Sequence, residues 1–162
     1  MHVRRKGAAL FVAMTLACAA SSSARAVGCE DLVSRHMVAE ALLVAQLVAS
    51  AEKAGMKKND IDAILKDVTE KSAVQEFWIT DSSGRVSFTN TGIDFTFSPD
   101  PAKQPQASAF WPLLSGDKKI VVQDSRKREI DDRVFKYVGV AGVDKPRIVQ
   151  VGVAAETFAD CK

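Results

Sequence analysis

The stretch EFWITDSSGRVSFTN, residues 76–90, decides the fold of this chain. Residues 77–80 are the aromatic and β-branched types that favour strands, and residues 85–90 have the same character. Between them, residues 81–84 (DSSG) have the short polar side chains and the glycine of a tight turn. The stretch therefore predicts a β-hairpin. Every aromatic residue after position 26 lies at or beyond Phe77, so the apolar core is expected to centre on this sheet.

Three further strands are predicted after the hairpin, at residues 119–124, 133–140 and 147–154. The connections between them are short, so neighbouring strands should pair antiparallel in chain order. Residues 91–106 form a long loop that contains proline and aromatic residues, and residues 107–114 predict a short helix.

Two helices are predicted before the hairpin. Residues 30–54 lack proline, are rich in Ala, Leu, Val and Glu, and end at Gly55. Residues 59–71 have apolar side chains at helical spacing, and Asn59 is a good N-cap. Together these elements predict an α+β fold in which the long N-terminal helix and the second helix pack on a five-stranded antiparallel sheet.

The first helix is apolar around most of its circumference at residues 41–51. Such a helix needs cover on more than one side. Two arrangements remain open: complete burial within one monomer, or packing of the outer side on a second protomer. No uninterrupted run of about eighteen apolar residues occurs, so we expect no conventional membrane-spanning helix.

Residues 1–26 predict a secretory signal peptide. A basic start (HVRRK) is followed by a short apolar stretch, and small residues at Ala24 and Ala26 suit the cleavage site. An alternative is a lipoprotein signal that would anchor the chain through Cys18. In either case residues 27–162 form a single domain with a periplasmic or secreted location.

Removal of the signal peptide changes the net charge. It takes four of the 22 basic residues and none of the 20 acidic ones, which leaves 18 basic residues, 20 acidic residues and a net charge of −2. This balance argues against nucleic acid as a partner, because nucleic-acid binding needs a concentration of positive charge. The basic residues removed are Arg4, Arg5, Lys6 and Arg25.

Two cysteines remain in the mature chain, Cys29 and Cys161, close to its two ends. An even cysteine count in an exported protein predicts a disulfide. The alternative, two unpaired thiols near the chain ends, stays open.

Five segments of the chain carry a resemblance to a known family: residues 76–81, 84–86, 95–97, 110–114 and 135–140. They resemble the single Cache domain, a PAS-like extracytoplasmic sensor module of bacterial chemoreceptors and histidine kinases. The resemblance implies a five-stranded antiparallel sheet, a long N-terminal helix and a pocket for a small molecule, such as an amino acid or carboxylate, between sheet and loop. Lys162 ends the chain directly after the sheet, so we expect a stand-alone domain that acts on a membrane receptor or kinase partner.

Six residues are candidates for binding this ligand. An arginine in the charged connection 125–132 can hold a carboxylate through two hydrogen bonds, and aromatic side chains can form the walls of a small-molecule site. The alternatives are a solvated turn for the arginines and ordinary core packing for the aromatic residues. The candidates are Phe97, Trp111, Gln123, Arg126, Arg128 and Tyr137.

The sequence offers little support for catalysis, a metal or a cofactor. His36 is the only histidine of the mature chain, and the sequence has no zinc-binding, haem-binding, dinucleotide or P-loop motif. We therefore expect a binding protein and not an enzyme. The alternative is a protein–protein interaction module, without a small ligand, that dimerises or docks through its first helix.

Overall fold

The computed structural model describes residues 28–159. The predicted signal peptide, Cys18 and Cys161 lie outside the described residues. Cys29 is described and begins the first helix, but its predicted pairing with Cys161 stays a prediction.

The described chain has helices first and strands afterwards, as predicted. The two long helices are α1, Cys29–Lys53, and α2, Lys58–Lys71. α2 begins one residue before Asn59, the predicted cap, and Lys57 occupies the N-cap position without a side-chain hydrogen bond. A 3-10 helix at Ala107–Phe110 precedes the short helix α3, Pro112–Ser115, and a second 3-10 helix at Ala155–Phe158 follows the sheet. The strands are β1 Glu76–Thr80, β2 Val86–Thr89, β3 Ile120–Val122, β4 Arg126–Lys127, β5 Val134–Ala141 and β6 Ile148–Ala154.

All strand pairs in the described sheet are antiparallel, in the order β2-β1-β6-β5-β3. The prediction of five strands was short by one, because β4 pairs with β5 over two residues of the charged connection. Chain neighbours pair as expected, and the hairpin joins the other strands because β1 pairs with the last strand, β6. In that pairing Phe77 lies opposite Val151 and Trp78 opposite Gln150.

The two faces of the sheet carry different cores because successive strand residues point to opposite sides. On one face, Phe77, Val138 and Val151 pack with buried residues of α1 and α2 such as Ala45 and Leu65. This arrangement confirms the predicted packing of both helices on a single face.

The opposite face is covered by the loop that follows β2, by the first 3-10 helix and by α3. Trp78 and Tyr137 point to this face, where Phe110 and Leu113 pack over the sheet. A Cβ atom at Gly139 would lie 2.6 Å from the Phe110 ring, so glycine is required for this close approach. The candidate site lies on this loop-covered face.

α1 is a core helix on one side and exposed on the other. Its inner side, which includes Met37, Ala41 and Val48, is buried against the sheet. By length and composition alone, α1 is also long and apolar enough to cross a membrane, whereas the sequence led us to expect no membrane-spanning helix. Buried core helices and signal sequences share this property. The leucines on its outer side remain exposed within the described monomer, and Leu43 is 71% exposed.

Candidate functional site

A small cavity lies between the sheet and the loop that covers it. Strands β1, β5 and β6 form its floor, and residues 95–97, 106–107 and 128–130 form its walls. Its volume is about 10 Å3, which is close to the space needed for a single water molecule. The cavity is therefore closed to any metabolite unless its walls move.

A buried carboxylate, Glu76, stands beside this cavity. It lies on β1, points to the loop-covered face and is 7% exposed. One oxygen, Oε2, accepts hydrogen bonds from the indole nitrogen of Trp78 at 2.9 Å and from the hydroxyl of Tyr137 at 2.8 Å. The other oxygen, Oε1, accepts a hydrogen bond from Nη1 of Arg128. Four side chains from three parts of the chain thus form one polar cluster in an apolar surrounding.

Arg128 is the positive charge of the cluster and is 6% exposed. Besides Glu76, its Nε and Nη2 donate to Asp131 at 2.6 Å and 2.5 Å, in the forked geometry that arginine and carboxylate favour. Its guanidinium carbon lies 4.2 Å from the centre of the Phe135 ring. The hydrogen bonds to Asp131 raise the pKa of Arg128 although burial acts against them, so this arginine stays charged.

The pKa values of two neighbours of Arg128, Asp131 and Tyr137, are shifted in opposite directions. The hydrogen bonds from Arg128 lower the pKa of Asp131 to about 2. Burial, together with the charge of Glu76, raises the pKa of Tyr137, so its hydroxyl keeps the proton that it donates to Glu76. The cluster thus combines two acidic side chains, Glu76 and Asp131, with one guanidinium that stays charged.

The apolar wall of the cavity is aromatic. Trp78 lies with its ring centre 5.8 Å from that of Phe95, and Phe95 meets Phe97 edge to face at 5.2 Å. Phe135 stacks on Tyr137 at 5.5 Å on the floor. Rings in these tilted and stacked arrangements add rigidity as well as buried area. They present an aromatic surface next to the charged cluster.

Three glutamines complete the surroundings. The Gln106 amide donates to Gln123 Oε1 at 2.9 Å, and the Gln123 amide donates back to the Gln106 carbonyl at 3.0 Å. Gln150, on β6, is 2% exposed and lines the cavity, yet its Nε2 has no hydrogen-bond partner among the described residues. A buried amide donor left unpaired is unfavourable, so Gln150 is placed to donate to an oxygen atom that enters the cavity.

A polar connection links the cavity wall to α1 on the other side of the sheet. The carbonyl of Gln123 accepts a hydrogen bond from Nζ of Lys136 at 3.2 Å, and the same Nζ donates to Glu30 of α1 at 3.1 Å. Lys136 is 1% exposed. The wall residue Gln106 is thereby connected, through Gln123 and Lys136, to the first turn of α1.

The structure brings three of the six candidate residues to the cavity. Phe97, Arg128 and Tyr137 line it, and Gln123 lies directly behind its wall. The remaining two, Arg126 and Trp111, do not line it.

Arg126 and Trp111 lie in other parts of the fold. Arg126 is exposed on β4 and does not line the cavity. Trp111 lies at the start of α3 and packs over Gly84, where an added Cβ would come within 2.8 Å of its ring. It covers the hairpin turn and not the cavity.

Several residues of the site, including the cavity-lining Phe95, Glu129 and Gln150, are not among the six candidates. Glu76, Trp78 and Gln106 touch the cluster or the cavity, and Asp131 holds Arg128. A signal for two of them was present: Glu76 and Trp78 are two residues apart in a strand, so they share a face. The acid at the start of an apolar strand marked a carboxylate that needed a buried partner.

Among residues 28–159, no group of three or more His, Cys, Asp or Glu side chains is placed to hold a metal ion. No protein-family model matches the chain, and the search of curated proteins finds no significant match. What the site can bind therefore has to follow from its own geometry.

Proposed function

We propose that this chain is an exported Cache-like domain that binds a small polar metabolite, an amino acid or a small carboxylate, for extracytoplasmic sensing. The observation that carries the proposal is the buried Arg128–Glu76 cluster beside a cavity into which Gln150 brings an unpaired amide donor. Binding sites of this kind combine an apolar wall with a few convergent polar groups.

The chemistry of the cluster supports this ligand class. Gln150 and Arg128 offer donors to a carboxylate of the ligand, and Glu76 offers an acceptor to an ammonium group. Glu129 also lines the cavity, so acidic side chains outnumber Arg128 around it, which favours a ligand whose carboxylate is accompanied by a positive group. The rings of Trp78 and Phe95 accept the remaining apolar part. No nucleophile or metal is needed for this function, which is reversible binding and not catalysis.

Binding requires movement, because the cavity has room for about one water molecule. The wall at residues 128–130 belongs to a connection and not to a regular strand, so it is the part that can shift. Residues 95–97 are held to the hairpin by backbone hydrogen bonds. A ligand that fits only the shifted arrangement of the walls would increase the fraction of molecules in that arrangement. That change is the signal that we propose is passed to a membrane receptor or kinase.

The proposed location outside the cytoplasm rests on the predicted signal peptide. The apolar helix near the N-terminus, α1, is weakly compatible with export. We propose the periplasmic or secreted form as the main product and the Cys18-anchored form as its alternative.

The test is a thermal-unfolding screen of the full chain, expressed with an intact export pathway and purified after export. Amino acids, mono- and dicarboxylates, purines and polyamines are compared. A ligand at 100-fold above its Kd stabilises the folded state by about 2.7 kcal/mol. A concentration-dependent rise in Tm with one amino acid or carboxylate supports the proposal, and no rise with any compound overturns it.

Variants locate the binding site. Gln150→Leu removes the unpaired donor without adding volume, and we expect it to abolish the ligand-induced rise in Tm. The control is Arg126→Ala, an exposed arginine outside the cavity, which should leave the rise unchanged. A ligand that binds Gln150→Leu as tightly as the natural chain would place the site elsewhere.

A second candidate function is homodimerisation through α1. Leu32, Leu43 and Leu47 are 49%, 71% and 36% exposed, and their spacing of eleven and four residues places them along one side of the helix. Exposed leucines in a row are typical of an interaction surface. Sedimentation velocity tests the idea: Leu43→Lys should convert a dimer to a monomer, whereas Val68→Lys on α2 should not. If the natural protein sediments as a monomer, homodimerisation is rejected. Docking on a receptor would then remain as the role of this surface.

A further inference from the structure

A second pocket lies on the other face of the sheet, away from the site described above. It is formed between the first half of α1, the residues after α2, strand β6 and the final 3-10 helix. Its volume is about 270 Å3, just below the range of about 300–1,000 Å3 that is typical of small-molecule sites. We call it the α1 pocket.

The lining of the α1 pocket is mainly apolar, and its polar residues are His36, Glu40 and Thr157. Val33 and Met37 contribute from α1, Val74 from the segment after α2, Val153 from β6 and Phe158 from the final 3-10 helix. Met37, Val74 and Val153 belong to the buried core, and Val33 and Phe158 pack against it. The pocket is therefore a gap at the edge of the core, suited to an aliphatic or aromatic group.

One carboxylate breaks this apolar lining. Glu40 lies on α1, and its Oε2 atom is buried without a hydrogen-bond partner among the described residues. Burial raises the pKa of Glu40, while the charge of His36 one turn earlier acts against that rise. His36 is the only other titratable group in the lining; β6, the segment after α2 and the final 3-10 helix contribute none.

A buried carboxylate oxygen without a donor is unfavourable, and a donor carried by a ligand would relieve the cost. We propose that the α1 pocket binds a small primary amine with an apolar body, whose ammonium group pairs with Glu40 and whose body packs on Met37 and Phe158. Three features select this class: the acidic side chain of Glu40, the absence of lysine and arginine from the described lining, and the apolar walls. The site is independent of the proposed sensor site.

The probes are n-hexylamine and its uncharged counterpart n-hexanol, with the full exported chain. The mature protein contains two methionines, Met37 in the pocket and the exposed Met56, so methyl NMR of labelled methionine reports binding with an internal control. We expect hexylamine to shift the Met37 methyl resonance, to leave Met56 unchanged, and to bind about tenfold or more tightly than hexanol, because a charge-assisted hydrogen bond is strong.

Glu40→Gln should abolish the preference for hexylamine over hexanol, whereas Glu70→Gln, an exposed acid on α2, should keep it. In the natural chain, hexylamine binding should weaken as the pH falls and Glu40 takes up a proton. The same pH series with Glu40→Gln shows which part of the change belongs to Glu40. Equal binding of amine and alcohol, an unchanged preference in Glu40→Gln, or a Met37 resonance that does not move would each overturn the proposal.

Discussion

Arg128 and Glu76 form a buried ion pair between residues that are 52 positions apart in the chain. Glu76 begins β1, and Arg128 lies in the connection between β4 and β5. The pair therefore ties the hairpin to the charged connection across the loop-covered face. Removal of one partner leaves an uncompensated charge in an apolar site, so both the fold and the candidate site depend on this contact.

We expect Arg128→Met to lower the free energy of unfolding by about 3–5 kcal/mol, because Glu76 would stay buried without its cation. The matched control is Arg126→Met in the same basic run, where the side chain is exposed and the expected change is within about 0.5 kcal/mol. Urea unfolding of both variants measures the difference. Equal effects at the two positions would contradict a structural role for the buried pair.

Asp131 should make stability depend on pH in the acid range. Its pKa in the folded chain is about 2, below the usual 3.8, because of its hydrogen bonds with Arg128. The stabilisation is thus complete above about pH 4 and is lost as the pH falls towards 2. Asp131→Asn should therefore be less stable than the natural chain at pH 7, with a gap that closes towards pH 2. Asp132→Asn is the control, and a gap that stays constant with pH would rule out this linkage.

Gly152 provides the space for the Tyr137 ring. A Cβ atom at Gly152 would lie 2.5 Å from Cε1 and 2.9 Å from Cδ1 of that ring. We expect Gly152→Ala to cost about 1–3 kcal/mol through overpacking and to displace the hydroxyl from Glu76. Urea unfolding of the double variant Gly152→Ala, Tyr137→Leu tests this. Its loss of unfolding free energy should be smaller than the sum of the losses in the two single variants. The control is Gly28→Ala, which has open space around it and should leave the free energy of unfolding nearly unchanged. If the losses from Gly152→Ala and Tyr137→Leu simply add, the predicted clash between the two residues is wrong.

Lys136 should hold the first turn of α1 against the sheet. It is buried, while the side chain of its partner Glu30 is 54% exposed and can be solvated when the contact is lost. We expect Lys136→Met to accelerate amide hydrogen exchange in the first two turns of α1 and to leave residues 44–53 unchanged. Lys127→Met on the exposed strand β4 is the control. Unchanged exchange at the start of α1 would show that the contact does not hold the helix.

Glu40 should oppose folding at neutral pH, because burial raises its pKa and penalises its charged form. A group of this kind favours the folded state most when protonated, and that contribution is lost as the pH rises through its folded pKa. Glu40→Gln should thus be more stable than the natural chain at pH 7, with an advantage that disappears below about pH 4. Denaturant unfolding across this range tests it; a less stable variant at pH 7 would reveal an unsuspected partner of Glu40.

The secondary structure of the described chain was largely predictable from local sequence. The hairpin at residues 76–90, the two N-terminal helices and the three later strands follow from residue preferences and from glycine and proline positions within a few residues. Pairing of chain neighbours followed as well, because short connections allow little else. β4 was missed, since two charged residues carry no strand pattern of their own.

The candidate site was predictable only in part. Local pattern pointed to Phe97, Arg128 and Tyr137 but gave equal weight to Arg126 and Trp111, which lie outside the cavity. In a connection such as residues 125–132, no fixed periodicity tells which arginine turns inward. That choice depends on the buried carboxylate Glu76, which is distant in sequence and close only after folding.

By itself, therefore, the sequence determined the α+β class, the order of its elements and a charged connection next to aromatic strands. Tertiary structure decided that β1 lies beside β6, that Glu76 meets Arg128, and that Gly152 leaves room for Tyr137. The physical reason is the separation along the chain over which each kind of interaction acts. Residue preferences and alternation act over a few neighbouring positions, whereas the cavity depends on contacts between strands and connections that only the packed core brings together.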